Sequence, residues 1–313
     1  MPNPDRNFPG VGTGIATILA TVFAMALTDA FVKHASADMT LWQIYVLRSS
    51  FVVPVLLVLS RGRFQLERSG WIMIRSLALA LMYLGIYTAI PLLDLSVIAA
   101  SLYTGPLFIV ALTAVFLREP VTARHWMAIA TGFAGVLLIV RPAASDFTPL
   151  SLIPVSAALL YAIAAVLTRA KCAATPALTL ALWLNLTLFA FGGLASLLIV
   201  WTGGGADAGY RFLFGDWSPM SGSDWRQIGV LALLMIAVSI GLAKAYKSPH
   251  PQVIATFDYA YLPFAAFWGF VFFGEIPDLT TAAGMTLIAL AGVIVLRAGR
   301  KATAVTPPRP GRR

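Results

Sequence analysis

One cysteine, Cys172, stands in a chain of 313 residues, so no disulfide can form within it and no cysteine cluster can hold a metal. Histidine is nearly as scarce. His34, His125 and His250 are the only three, and each falls at the end of an apolar run. No metal and no cofactor are therefore expected. Charge is short as well, at 11% of residues, where soluble domains carry about a quarter. With 59% hydrophobic residues, such an inventory cannot cover a water-facing surface, and the surrounding solvent must be largely lipid. Alternation of apolar with polar residues is missing too, which speaks against a β-barrel. No basic, aromatic-interleaved soluble stretch exists either, so the net charge of +9 does not point to nucleic acid.

What the chain has is apolar length. A helix needs about 20 residues to cross roughly 30 Å of hydrocarbon. Ten segments qualify, some near the short limit: 11–33, 41–60, 71–90, 97–117, 125–141, 149–168, 176–201, 227–246, 252–274 and 279–297. The connections are short and carry breakers such as Pro91, Pro120, Pro142, Pro249 with Pro251, and Pro277. Segment 202–226, rich in Gly, Asp, Ser and aromatics, is the exception and reads as an interfacial loop. The first span is followed by Ala35-Ser36-Ala37, which resembles a cleavage site, but its apolar stretch is too long for a signal peptide. It is expected to remain as a helix.

Lysine and arginine set the orientation. With the N-terminus inside, the inner loops and span ends hold Arg6, Arg61, Arg63, Arg68, Arg75, Arg118, Arg124, Arg169, Lys171, Lys244 and Lys247. The tail adds Arg297, Arg300, Lys301, Arg309, Arg312 and Arg313, which makes seventeen. The outer side holds four: Lys33, Arg141, Arg211 and Arg226. That bias places both termini in the cytoplasm, as expected of a multi-pass protein of the cell (inner) membrane.

The chain also repeats itself. From Ser101 it reads SLYTGPLFIVALTAVFLREP, and from Asp258 DYAYLPFAAFWGFVFFGEIP, each followed by a glycine-dotted run that ends in arginine. Pro106 matches Pro263, Glu119 matches Glu275 after one gap, and Gly135 matches Gly292. Because five helices precede the second half, the matched helices 4–5 and 9–10 run in opposite directions. The predicted fold is all-α and integral to the membrane: ten transmembrane helices as two inverted five-helix repeats. Such internal inversion is a signature of transporters with a site near the midplane.

Ten helices in two halves, each with P-x(11–12)-E before a glycine-rich last helix, resemble the drug/metabolite transporter superfamily, EamA type. Asp29-Ala30, Lys33, Arg48 and Thr104-Gly105-Pro106 resemble its S-adenosylmethionine and riboflavin carrier-like branch. The resemblance divides the chain into a cytoplasmic N-terminus (1–10), a first EamA-like repeat (11–141), a second (149–297) and a disordered cytoplasmic tail (298–313). It implies alternating-access transport of a small organic solute, and no enzyme activity. Where the family commonly has Gly-Glu in the first half, this chain has Arg118-Glu119.

Ionisable groups within a span cost roughly 2.5–3.5 kcal/mol on insertion scales and so become candidates for function. Asp29 in helix 1 and Arg48 in helix 2 can pair across a short loop, as a gate, a subsite for a zwitterionic solute, or a structural ion pair. Lys244 and Asp258 offer an inner counterpart; Asp258 is also a candidate carrier of a coupling proton. Pro106 and Pro263 each remove a hydrogen bond in mid-helix, freeing carbonyls that can line a site or mark a flexing point. Tyr103 and Tyr261, close to those prolines, and Tyr161 can stack on a solute or simply pack, and the mid-span Asn185 can bind solute or bond across helices. Lys33 and Lys247 are expected to snorkel to the interface. The glycines of helices 5 and 10 are expected to let these helices pack as scaffold or support a homodimer.

The expected function is a secondary transporter for a small polar or zwitterionic metabolite, coupled to a proton or counter-solute, with membrane lipid as the other partner. A lipid scramblase or floppase is the second reading. An intramembrane enzyme is the third, and it lacks a nucleophile with a base beside it.

Overall fold

The computed structural model describes residues 11–60, 69–116, 123–140, 148–202, 210–246 and 257–305. Among these residues every regular element is helical, and no strand is present. The first half contributes α1 (Val11–Ala35), α2 (Leu41–Leu59), α3 (Ser69–Ala89), α4 (Leu95–Leu102), α5 (Gly105–Phe116) and α6 (Ala123–Val140). The second contributes α7 (Leu152–Lys171), α8 (Ala177–Trp201), the short α9 (Arg211–Phe214), α10 (Gly222–Tyr246), α11 (Tyr261–Phe273) and α12 (Leu279–Val305). The tail expected to be disordered from 298 is thus helical as far as Val305.

Among the described residues, seven stretches are long and apolar enough to cross a membrane, with α4 and α5 counted as one, Leu95–Phe116. Three shorter apolar helices, Trp126–Val140, Tyr261–Phe273 and Leu279–Ile294, join them. Their outward faces carry large apolar side chains: Trp201 is 84% exposed and Leu279 87%. In water such a surface would drive aggregation; in a bilayer it is the lipid-facing belt. The fold is that of a multi-pass membrane protein.

Helix contacts come in matched sets. α3 packs on α7 as α1 packs on α10; α1 meets α11 as α7 meets α4 and α5; α2 meets α10 as α8 meets α3. The remaining major pairs, α2 with α8, α4 with α11 and α6 with α12, join equivalent helices of the two halves. Register in these last pairs is antiparallel. Gly132 of α6 faces Ala291 of α12, and Ile139 faces Gly284. Likewise Gly192 of α8 sits against Tyr45 and Val46 of α2, while Leu182 clusters with Val52 and Leu56.

The α6–α12 pair is the most intimate, because glycines let the backbones touch. A Cβ on Gly284 would lie 2.7 Å from the carbonyl oxygen of Gly135 and 2.5 Å from Ile139 Cγ1. Backbone cannot yield as a side chain can. Gly284→Ala is therefore expected to destabilise the protein by about 1–3 kcal/mol, as overpacking does. Thermal unfolding in detergent measures this, and an unchanged midpoint would show that the two helices separate freely.

Candidate functional site

Two spans are interrupted at matching places. α4 ends at Leu102, Tyr103 caps it, and α5 starts at Gly105. In the second half Phe257 and Asp258 are helical, Tyr259 and Ala260 turn, and α11 begins at Tyr261. The prolines explain both breaks. Pro106 is the second residue of α5 and Pro263 the third of α11, where a missing N–H costs nothing and the fixed φ suits a helix start. The sequence places these prolines in kinks; the structure makes them the first turns of new helical segments. Short backbone bonds tighten both turns, from Thr104 N to the Ser101 carbonyl at 3.2 Å and from Ala260 N to the Phe257 carbonyl at 3.0 Å.

The breaks meet. The Tyr103 hydroxyl donates to the carbonyl oxygen of Asp258 at 2.9 Å. Its ring stacks on Tyr261 at 5.3 Å between centroids and tilts against Tyr259 at 5.2 Å. Tyr161 of α7 presses on the first break, its ring edge 2.8 Å from where a Gly105 Cβ would stand. The scaffold pair supports both breaks in the same way: Leu107 seats on Gly132 and the Tyr259 ring on Gly292, each within 2.0 Å of a hypothetical Cβ.

Ionisable groups flank this junction. Tyr261 donates its hydroxyl to Asp29 Oδ2 of α1. Arg48 of α2 is fully buried, and its Nη1 donates to the Tyr87 hydroxyl of α3 at 3.2 Å. Its guanidinium carbon lies 5.8 Å from the Tyr45 ring centre and 5.9 Å from that of Tyr87. Asp29 and Arg48 are within electrostatic reach, yet no ion pair joins them. The direct pair expected from their positions gives way to tyrosine partners, because Tyr261 and Tyr87 reach the two charges first. Asn185 is buried and donates Nδ2 to the carbonyl of Ala181 in its own helix at 2.9 Å, leaving Oδ1 unpartnered. The α2–α8 register sets it near the level of Val52, about one helical turn beyond Arg48. The side chains of Lys244 and Lys247 lie outside the described residues, and so does their pairing with Asp258.

Lys33 does not snorkel. It pairs with Glu275 Oε1, donates to the Leu93 carbonyl at 2.7 Å, and lies 5.2 Å over the Phe273 ring centre. Oε2 of the same Glu275 accepts from the Leu95 N–H, at the start of α4, at 2.8 Å, where the helix N-terminus favours a carboxylate. The arrangement depends on Gly274, whose φ of +68° ends α11 and folds Glu275 back over Gly269. That positive φ is the physical sense of the Gly-Glu motif. The Gly-Glu motif is visible in the sequence, whereas Lys33 as its partner is not. The equivalent Arg118-Glu119 lies outside the described residues.

On the same face, part of the loop expected at the interface forms a cap. Trp42 Nε1 donates to the Leu213 carbonyl at 2.6 Å. The Gln43 amide donates to the Ser218 carbonyl at 2.9 Å and accepts from the Ser218 N–H at 3.2 Å. Phe212 is buried in the cluster that contains Tyr45 and Tyr87, and the Tyr210 hydroxyl donates to the Thr88 carbonyl. Burial pushes the Tyr210 phenol up to about 12, so it stays a donor at any physiological pH.

Broken apolar spans that meet around buried charges are the build of a membrane transporter. Residues 12–141 match the EamA-like transporter family. The riboflavin transporter of Vibrio cholerae is 24% identical over 88% of this chain and 90% of its own length. The pseudopaline exporter CntI of Pseudomonas aeruginosa is 26% identical over 91% of this chain and 96% of its own. The S-adenosylmethionine uptake transporter of Rickettsia felis is 24% identical, covering 93% and 94%. A solved crystal structure shares the fold, with a TM-score of 0.60 and 16% identity over 93% of this chain and 98% of that one. The chain is thus similar to drug/metabolite transporters of the EamA type, through residues 12–141 and through these relatives.

Proposed function

We propose that this protein is a secondary carrier that moves a small polar or zwitterionic metabolite across the cytoplasmic membrane by alternating access. Ten crossings form two inverted five-helix repeats, 11–141 and 149–297, with both termini in the cytoplasm. Matched helix contacts and the antiparallel register of α6 on α12 support the inverted pairing. The relatives named for riboflavin, pseudopaline and S-adenosylmethionine support a small organic solute.

The observation that carries the reading is the junction of the two broken spans, Tyr103 on the Asp258 carbonyl, with Asp29 and Arg48 beside it. Irregular backbone and charge survive at membrane depth only where protein or a polar pathway surrounds them. Asp29, Arg48, Tyr103, Tyr161, Asp258 and Tyr261 line the solute site in this proposal, and Pro106 and Pro263 are its flexing points. Asn185 and Lys244 are outlying contributors. With seventeen basic residues inside and four outside, the Lys33–Glu275 pair and the cap close the outer face. The gradient of a proton or counter-solute drives the cycle.

Counterflow in proteoliposomes tests this. Wild-type protein loaded with riboflavin, S-adenosylmethionine or an amino-acid mixture should show saturable exchange of at least one labelled solute. Asp29→Asn should lower that exchange at least about ten-fold, the loss expected on removing one charged contact. No exchange of any solute, together with protein-dependent movement of fluorescent phospholipid between leaflets, would replace the carrier with a lipid translocator.

A further inference from the structure

Arg48 is a cation with half of its chemistry unused. None of its surface is exposed, and of its three nitrogens only Nη1 has a hydrogen-bond partner, the Tyr87 hydroxyl. Nε and Nη2 are buried without one, and among the described residues no carboxylate stands within ion-pair distance. Buried charges are as a rule paired, because an uncompensated one is expensive in a low dielectric. Two tyrosine faces, Tyr45 and Tyr87, soften the cost but do not remove it.

The identity of the free atoms is informative. In a planar guanidinium, Nε–H and one Nη2–H point in parallel along a single edge, spaced to meet the two oxygens of a carboxylate. Had Nη1 and Nη2 been left free, the open direction would be the tip instead. Tyr87 occupies Nη1 and so fixes the orientation of this edge. Neighbouring groups are in the same condition: Tyr45 Oη and Ser49 Oγ, on the same helix, are buried and unpartnered. Native proteins leave few such atoms, and a cluster of them calls for an explanation.

We infer that the Nε/Nη2 edge of Arg48 is the anchor of the transported solute, that it takes a carboxylate, and that the Tyr45 and Tyr87 rings flank the bound group. The proposal rests on the carrier reading and sharpens it: the solute class is a carboxylate-bearing metabolite. Asp29, within electrostatic reach of Arg48 and tied to Tyr261, faces the cationic end of that solute. Phe212 of the cap shares the cluster of Tyr45 and Tyr87. The anchor is therefore shut from the cap side in this structure, and the solute reaches it in a state in which that packing or the opposite face has opened.

Benzoate and benzamide have the same shape and differ in the carboxylate, so they isolate the proposed contact. Full-length protein in detergent, at ionic strength matched with sodium chloride, is titrated with each while its unfolding midpoint is followed. Wild type should reach half-maximal stabilisation at about ten-fold lower benzoate than benzamide, the effect of one charge-assisted hydrogen bond. Arg48→Gln should abolish the difference. Arg48→Lys, which keeps the charge but not the fork, should reduce it, and it supplies the reading if the glutamine variant does not fold. Equal response of wild type to both compounds overturns the anchor, as does a benzoate preference that survives in Arg48→Gln or is undiminished in Arg48→Lys. Failure here with intact counterflow of a neutral or cationic solute removes the carboxylate and leaves the carrier. Failure of counterflow with an Arg48-dependent benzoate effect does the reverse.

Discussion

Replacing Arg48 with methionine should make the protein more resistant to heat and, in the same variant, abolish transport. The two effects have one cause. A guanidinium buried with Nε and Nη2 unpartnered pays a charge-burial cost in every state that keeps it sealed. Methionine fills a similar volume without charge and recovers about 2.5–3.5 kcal/mol on insertion scales. Against this stand the lost bond to the Tyr87 hydroxyl, worth about 1 kcal/mol net, and the two ring contacts, together worth about 1 kcal/mol. Charge removal still wins, and the midpoint should rise by a few degrees. On the proposed role of Arg48 as solute anchor, that cost is a common trade between stability and activity. Thermal unfolding and counterflow on the same preparation decide the matter. A lower midpoint with transport intact would make Arg48 a structural residue and end its role at the solute site.

The matching prolines show how far residues alone carry the reading. Pro106 and Pro263 mark the two irregular places, because proline's missing donor is a local property that needs no partner to be recognised. The tyrosines beside them, Tyr103 and Tyr261, likewise stand where the breaks meet. Partner choice was not legible. Asp29 binds Tyr261 across 232 residues, Arg48 binds Tyr87 across 39, and Lys33 binds Glu275 across 242. In a soluble helix, polar and apolar stripes tell which face is inward. Here lipid and core both select apolar residues, so the faces of α1 and α2 read alike and the inward direction is hidden. Chain proximity then favours an Asp29–Arg48 pair that the packing does not make. The cap was hidden for a similar reason. Its bonds from Trp42 and Gln43 end on main-chain carbonyls and an N–H, which carry no residue identity.

Glu275→Gln should destabilise the protein by about 3 kcal/mol and cripple transport, whereas the double variant Lys33→Met, Glu275→Gln should recover most of the stability but none of the transport. The pair is largely out of water, with side-chain exposures of 14% and 10%. Removing one partner strands the other charge, at about 3–5 kcal/mol for buried pairs, while replacing both is often neutral. A double-mutant cycle isolates that coupling. The transport effect follows from position. Glu275 joins α1 through Lys33 to the start of α4 through the Leu95 N–H, so one carboxylate ties an element of the second half to two of the first. Weakening this closed face by about 3 kcal/mol shifts the balance between open and closed states roughly a hundred-fold. In the proposed alternating-access cycle both states are visited in each turn, and such a bias leaves the protein waiting in one. The stability of the double variant shows that charge burial is relieved; its lost transport shows that the tie itself was needed. Coupling below about 0.5 kcal/mol, or a double variant that transports like wild type, would mean that this face is closed by the cap and its packing alone.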